Sequence, residues 1–215
     1  DLVDPDHEFT VAEFQVAYTA AVDSIGESGH RALLVGGTGL YHRAVIDAFE
    51  LPGEWPAVRA EIDAEADTAA LFARLSELDP AAAAKIEPTN RRRIIRALEV
   101  TVGSGRPFSS FGPGVDNYPP SAVTQIGLRW PRDVLTDRIA ERVRRMIDGG
   151  LVAEVESLRH RGLSRTAAQA LGYKEILETL EGRIGKDEAI EMIITRTRRF
   201  AVRQDRWFRR DPRVR

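Results

Sequence analysis

Arg31-Ala-Leu-Leu-Val-Gly-Gly-Thr-Gly-Leu-Tyr41 decides how the chain is read. Ala32 to Val35 is a short apolar run of the kind that forms a buried parallel strand. Gly36 and Gly37 end it, and Thr38 is placed to cap a helix that opens with Gly39, Leu40 and Tyr41. A strand, a glycine turn and a helix N-terminus aim backbone N–H groups and the positive end of a helix dipole at one spot. That spot suits a phosphate or an RNA backbone. The same letters also fit a plain βα turn with glycines for tight packing and no ligand.

Upstream, Thr10 and Glu13 have the spacing of a capping box. Phe14, Ala17, Tyr18, Ala21 and Ile25 then give one apolar helix face. Downstream, Leu51-Pro-Gly-Glu-Trp-Pro56 breaks the composition, and the pattern beyond it is helical. Helices are expected over 57–66 and 69–78, from Pro80, and from Arg91 to about Val102 behind an Asn90 cap. Residues 103–120 are rich in Gly, Pro and Ser and read as a loop. Ala122 to Leu128 reads as a return strand. Helices follow from Asp133, Leu151, Thr166 and Gly172, and the longest runs from Lys186 to about Arg210. The pattern predicts a strand-bearing α/β core, built from residues 1–54 and 119–215, and an all-helical insertion over 55–118.

The 215 residues are 43% hydrophobic, enough for a real core. There is no cysteine, so disulfides and thiolate metal sites are excluded and a reducing, cytoplasmic setting is expected. His7, His30, His42 and His160 lack ligand spacing. No stretch approaches a membrane span, and no signal-peptide pattern opens the sequence. The net charge of −2 hides an asymmetry. Residues 1–90 carry 5 basic and 17 acidic side chains, and residues 91–215 carry 26 and 16. A basic C-terminal part fits a polyanionic partner.

Two helices concentrate that charge. In the last one, Arg196, Arg199, Arg203, Arg206 and Arg210 recur three and four residues apart, opposite a stripe including Ile190, Ile193, Phe200, Gln204 and Trp207. Stacked like charges repel unless a polyanion is present, which favours RNA or diphosphate over a solvated face. Gln204, on the apolar side, requires a fixed hydrogen-bond partner. In the helix after Asn90, Arg92, Arg93 and Arg96 lie opposite Ile94, Ile95 and Leu98. Pairing with acidic residues of the insertion fits them equally well. Two apparent nucleotide motifs fail. Gly182-Arg-Ile-Gly-Lys186 has the wrong spacing for a Walker A loop, and His42 stands where a dinucleotide fingerprint needs its third glycine.

Taken together, Phe9-Thr-Val-Ala-Glu-Phe14, Val35-Gly-Gly-Thr-Gly-Leu-Tyr41, Arg93-Ile-Ile-Arg-Ala-Leu-Glu99, Gly172-Tyr-Lys-Glu175 and Thr197 to Arg209 resemble bacterial tRNA dimethylallyltransferases in order and spacing. The resemblance implies transfer of the isoprenoid group of dimethylallyl diphosphate to N6 of the adenosine beside the anticodon, with Mg2+ as cofactor. It implies a P-loop-type three-layer core with a parallel sheet and a helical insertion that grips the anticodon arm. The family's P-loop and its general-base Asp match nothing here. They are expected upstream of residue 1, with the core's N-terminal strands, so no catalytic residue is assigned. The given stretch is expected to transfer nothing by itself.

By position, Thr38, Arg59 and the segment Arg91, Arg92, Arg93, Ile94, Ile95 and Arg96 resemble the tRNA-contacting residues. Lys174, with Arg199 and Arg203, resembles the diphosphate-binding set, and Arg203 and Gln204 match the family's Arg-Gln pair. Val202 departs from the usual basic residue. The implied partners are a tRNA anticodon arm and dimethylallyl diphosphate, with no membrane and a monomeric protein. A non-catalytic RNA-binding form of the fold and a P-loop small-molecule kinase are the alternatives.

Overall fold

The computed structural model describes residues 2–112 and 114–215. Among them the chain forms eleven α-helices and one 3-10 turn, Phe108–Ser110. They divide into two compact units, one of residues up to His42 with Ser121–Arg215, the other Arg43–Pro120.

The first unit opens with α1 (Val11–Glu27). Its Thr10 hydroxyl accepts from the Glu13 amide at 3.2 Å, and the Glu13 carboxylate accepts from the Thr10 amide at 2.7 Å. This reciprocal capping satisfies two of the donors that every helix start leaves open. The glycine turn leads into α2 (Gly39–Ile46), of which Gly39 to His42 belong to this unit and Arg43 to Ile46 to the second. After residue 120 come α7 (Arg132–Asp148), α8 (Leu151–Arg161), the short α9 (Arg165–Ala168), α10 (Tyr173–Leu180) and α11 (Lys186–Phe208). Val143 and Ile147 of α7, Val155 of α8, Ile176 of α10, and Ile193 and Ile194 of α11 form the core. Val143 and Ile147 lie four residues apart, and Ile193 and Ile194 lie three and four beyond the half-buried Ile190, so α7 and α11 each turn one stripe inward. Burying each such side chain contributes about 1.5–3 kcal/mol.

The second unit holds α3 (Pro56–Asp63), α4 (Thr68–Leu78), α5 (Pro80–Ala83) and α6 (Arg91–Ser104). The α6 stripe of Ile94, Ile95 and Leu98 packs on Ile62, Leu71, Leu75 and Ile86. Trp55 lies against α6 at Gly103, where a Cβ would meet its Cγ at 2.3 Å. Arg43 is buried and reaches the end of the same unit. Its guanidinium donates to the carbonyls of Val115 (2.9 Å) and Asn117 (2.6 Å), pairs with Asp47, and lies 4.5 Å from the Tyr118 ring centre.

The parallel-sheet core expected from the sequence is absent among the described residues. Residues 30–36 have no regular structure, with Leu33 86% and Val35 79% exposed. In the second run Ile126 and Leu128 are 75% and 90% exposed. Its regular pairing is a single parallel bridge between Gln125 and Val214, with Arg215 N donating to Gln125 O and Gly127 N to Arg215 O. A strand exists only where a neighbour takes up its N–H and C=O groups and covers its faces. Among the described residues the first run has no such neighbour, and the second has only the short pairing with Val214 and Arg215 while its apolar side chains stay uncovered, so neither is held as sheet. Elsewhere the corrections are small. The seventh helix starts at Arg132 behind Pro131 rather than behind an Asp133 cap, and the last ends at Phe208.

Candidate functional site

Two stretches far apart in sequence interlock in the first unit. Gln204 of α11 donates from Nε2 to the Gly37 carbonyl at 2.9 Å. A Cβ on Gly37 would meet that nitrogen at 2.0 Å, and a Cβ on Gly39 would meet Trp207 Cδ1 at 2.0 Å. The glycines therefore admit the Gln204 amide and the Trp207 indole against bare backbone. The His42 ring stands edge-on to Phe208 at 5.8 Å, and Tyr41 packs on Phe14 at 4.8 Å. Burial lowers the His42 pKa, with a hydrogen bond to the Gly36 backbone acting the other way. Thr38 remains exposed at the top of this joint, its carbonyl accepting from the amides of Tyr41 (2.9 Å) and His42 (3.2 Å).

One helical packing away, α10 meets the middle of α11. Gly172 (φ 98°) adopts a backbone that suits glycine, and its amide donates to Glu175 Oε2 at 3.0 Å. Glu175 is 1% exposed, and its other oxygen accepts from Arg196. Arg196 is thus a structural partner and leaves the row of surface cations. Arg199 and Arg203 are exposed, and Arg203 lies 5.5 Å from the Phe200 ring centre. Lys174 is half-buried beside Glu175 and makes no ion pair among the described residues. Tyr173 donates to Glu154. Burial, then that bond and the Glu154 charge, push the Tyr173 phenol up to about 12.

The second unit sorts the arginines of its own segment. Arg91 is committed to the protein, donating to the carbonyls of Asp63 (3.0 Å), Glu65 (2.7 Å) and Ala66 (3.3 Å) and to the Asp63 carboxylate (3.1 Å). It closes the C-terminal end of α3, where a cation is favoured by the helix dipole. Ile94 and Ile95 are core residues, 0% and 3% exposed. Arg92 and Arg93 are exposed, and their side chains make no hydrogen bond or ion pair among the described residues. Arg59 and Arg96 stand between these cases. Both donate to Glu99, Arg59 to Oε2 and Arg96 to Oε1, each at 3.0 Å. Arg96 also donates to the Pro52 carbonyl at 2.9 Å. Burial pushes the Glu99 carboxyl up, but the Trp55 amide and the two guanidinium groups outweigh it and hold it below its usual range.

Glu99 and Glu175 end two of the quoted stretches but received no role from the sequence, and Arg43 was not singled out. For Glu99 a signal existed: it sits on the inward side of α6, between Leu98 and Val100, where an acid must have partners. Among the described residues Mg2+ finds no ligand set. No three His, Asp or Glu side chains converge among the described residues. The two carboxylates beside the α11 cations are already engaged, Glu175 by Arg196 and Asp205 by Arg129 and Arg209. The described residues do not fit the ion. No helix among them is long and apolar enough to cross a membrane.

Residues 1–211 match the family model for IPP transferase. A tRNA dimethylallyltransferase of Kineococcus radiotolerans is 49% identical over all of this chain and 68% of its own length. One from Paenarthrobacter aurescens is 47% identical, with 100% and 70% covered. The solved full-length tRNA isopentenylpyrophosphate transferase of Bacillus halodurans is similar with a TM-score of 0.66 and 40% identity, over 100% of this chain and 68% of its own.

Proposed function

The chain belongs to the IPP transferase family, and from that premise we propose that it acts as a tRNA dimethylallyltransferase, a tRNA-modifying prenyltransferase. The acceptor is N6 of the adenosine 3′ to the anticodon, and the donor is dimethylallyl diphosphate. The donor's C–O bond breaks, a C–N bond forms at N6, and the N6 proton is released to a base. The protein works as a monomer in the cytoplasm, where its tRNA is. Family membership sets aside the small-molecule kinase.

The observation that carries this reading is the division of the arginines. A solvated face pairs its charges, and Arg91 and Arg196 do so. Arg92 and Arg93 on α6, and Arg199 and Arg203 on α11, stand exposed without an acidic partner among the described residues. Two such cations on one helix suit the phosphates of the anticodon arm. Arg199, Arg203 and Lys174 suit the departing diphosphate, whose developing negative charge they offset. Thr38 offers a hydroxyl to the RNA from a turn that Gln204 holds still.

Binding of a tRNA transcript, measured over a series of salt concentrations, tests the RNA half. Arg92→Glu with Arg93→Glu is expected to weaken binding. Removing one cation from one phosphate lowers the log–log salt slope by roughly 0.7 to 0.9. An unchanged slope refutes the assignment. For the leaving group, phosphorus NMR with inorganic diphosphate is expected to show binding that Arg199→Gln with Arg203→Gln abolishes. Equal binding by both proteins removes those residues from the role.

A further inference from the structure

We propose that Glu99 is a positioning residue for RNA: one buried carboxylate holds Arg59 and Arg96 side by side as a ready-made phosphate clamp. This rests on the tRNA reading above and adds to it a residue that never meets the substrate.

Glu99 is 2% exposed, yet it carries a charge and accepts three hydrogen bonds: from the Trp55 amide (2.9 Å), from Arg59 (3.0 Å) and from Arg96 (3.0 Å). The three donors come from the start of α3, the residue before it, and α6 itself. A structural ion pair needs one guanidinium for one carboxylate. Here two converge, so the cluster keeps a net positive charge at its outer side. Neither guanidinium is sealed in, since the Arg59 and Arg96 side chains are 35% and 30% exposed. Arg59 uses only one terminal nitrogen on Glu99, leaving Nε and the other terminal nitrogen as further donors. Arg96 leaves Nε and the second hydrogens of its terminal nitrogens. Arg92 lies four residues before Arg96 on the same helix face and is exposed. Arg92 and Arg96 thus share one face of α6, and Arg96 and Arg59 share Glu99, which holds both. Fixed guanidinium groups bind phosphate better than mobile ones because less side-chain freedom is lost on binding.

The sign of one substitution separates this role from plain electrostatics. Glu99→Gln removes a negative charge beside an RNA face. By charge alone it should tighten tRNA binding and steepen the salt slope. If Glu99 positions the clamp, binding weakens instead, because the amide cannot accept on both sides and one guanidinium is released. The expected loss is about sixfold at 0.1 M salt, with the slope shallower by roughly 0.8, the effect of one phosphate contact. Binding as tight as the parent's, or tighter, overturns the proposal. Should Glu99→Gln fail to fold by circular dichroism, Arg59→Lys with Arg96→Lys keeps the charge and loses the planar fork. It is expected to lose a comparable factor, and unchanged affinity overturns the proposal equally. Arg92→Glu with Arg93→Glu serves as the separate arm. If that variant binds as the parent does, the RNA reading of α6 fails. If it weakens while Glu99→Gln does not, only the positioning role fails.

Discussion

Gly39→Ala adds one carbon at the tightest joint of the first unit. That Cβ would lie 2.0 Å from Trp207 Cδ1, 2.1 Å from Nε1 and 2.7 Å from Cε2. Ordinary carbon contacts sit near 3.5–4.0 Å, so the ring has to move by roughly 1.5 Å. It is rigid and rooted in α11, two residues from the Asp205 that pairs with Arg129 and Arg209. Overpacking of this kind costs about 1–3 kcal/mol. Alanine recovers up to about 1 kcal/mol over glycine in a helix, less at its first residue. The net expectation is a loss of about 1–2 kcal/mol. For a chain of this size that lowers the melting temperature by roughly 2–8 °C. Urea unfolding followed by circular dichroism and tryptophan fluorescence measures it. Trp207→Leu makes room for the added carbon, so in the double variant the two losses should fall short of additive by at least about 0.5 kcal/mol. A Gly39→Ala protein as stable as the parent, or strictly additive losses, would refute the packing argument.

Arg43→Met removes the cation from a pair whose two side chains are each 3% exposed, and it strips two carbonyls of their donor. A loss of about 3–5 kcal/mol in unfolding free energy is expected, and a loss under about 1 kcal/mol counts against the interior role of the pair. Tyr173, with its phenol pushed up to about 12, contributes stability that is complete below the unfolded value of 10 and is lost as pH rises through 12. Ultraviolet titration should show one tyrosine ionising late, and Tyr173→Phe should remove that late step. Glu13, with its backbone bond from Thr10 and its His7 contact, is held down to about 2. Its cap on α1 is therefore present above about pH 4.5 and lost as pH falls toward 2, and carbon NMR of the Glu13 carboxyl follows it directly.

Local rules carried most of the helices. The Thr10–Glu13 box, the Asn90 cap and the apolar stripes of α6 and α11 follow from spacing alone, because caps and stripes are settled within a few residues. The strands did not follow. Ala32–Val35 and Ala122–Leu128 have the composition of strands, but a strand is a property of its neighbours. The arginines show the same limit. Spacing places Arg91, Arg92, Arg93 and Arg96 at the start of one helix, and Arg196, Arg199 and Arg203 along another. It says nothing of what lies opposite, so the carbonyl nest that takes Arg91 and the Glu175 that takes Arg196 came only with the coordinates. Gln204 was a sound inference of need, an amide on an apolar stripe, while its partner Gly37, far upstream, was beyond any local rule.

The Arg43 contacts carry a further consequence, for modularity. Arg43 opens the second unit, and the carbonyls it grasps belong to Val115 and Asn117, near that unit's close at Pro120. The entry and exit of the lobe are therefore clasped by a single side chain. Bringing together the ends of a flexible stretch of this length would cost roughly 4 kcal/mol in chain entropy. Here that closure is built into the lobe's own contacts, as in segments that tolerate transfer into a new host. Residues 43–120 thus have the anatomy of a transplantable cassette, with an arginine for its buckle.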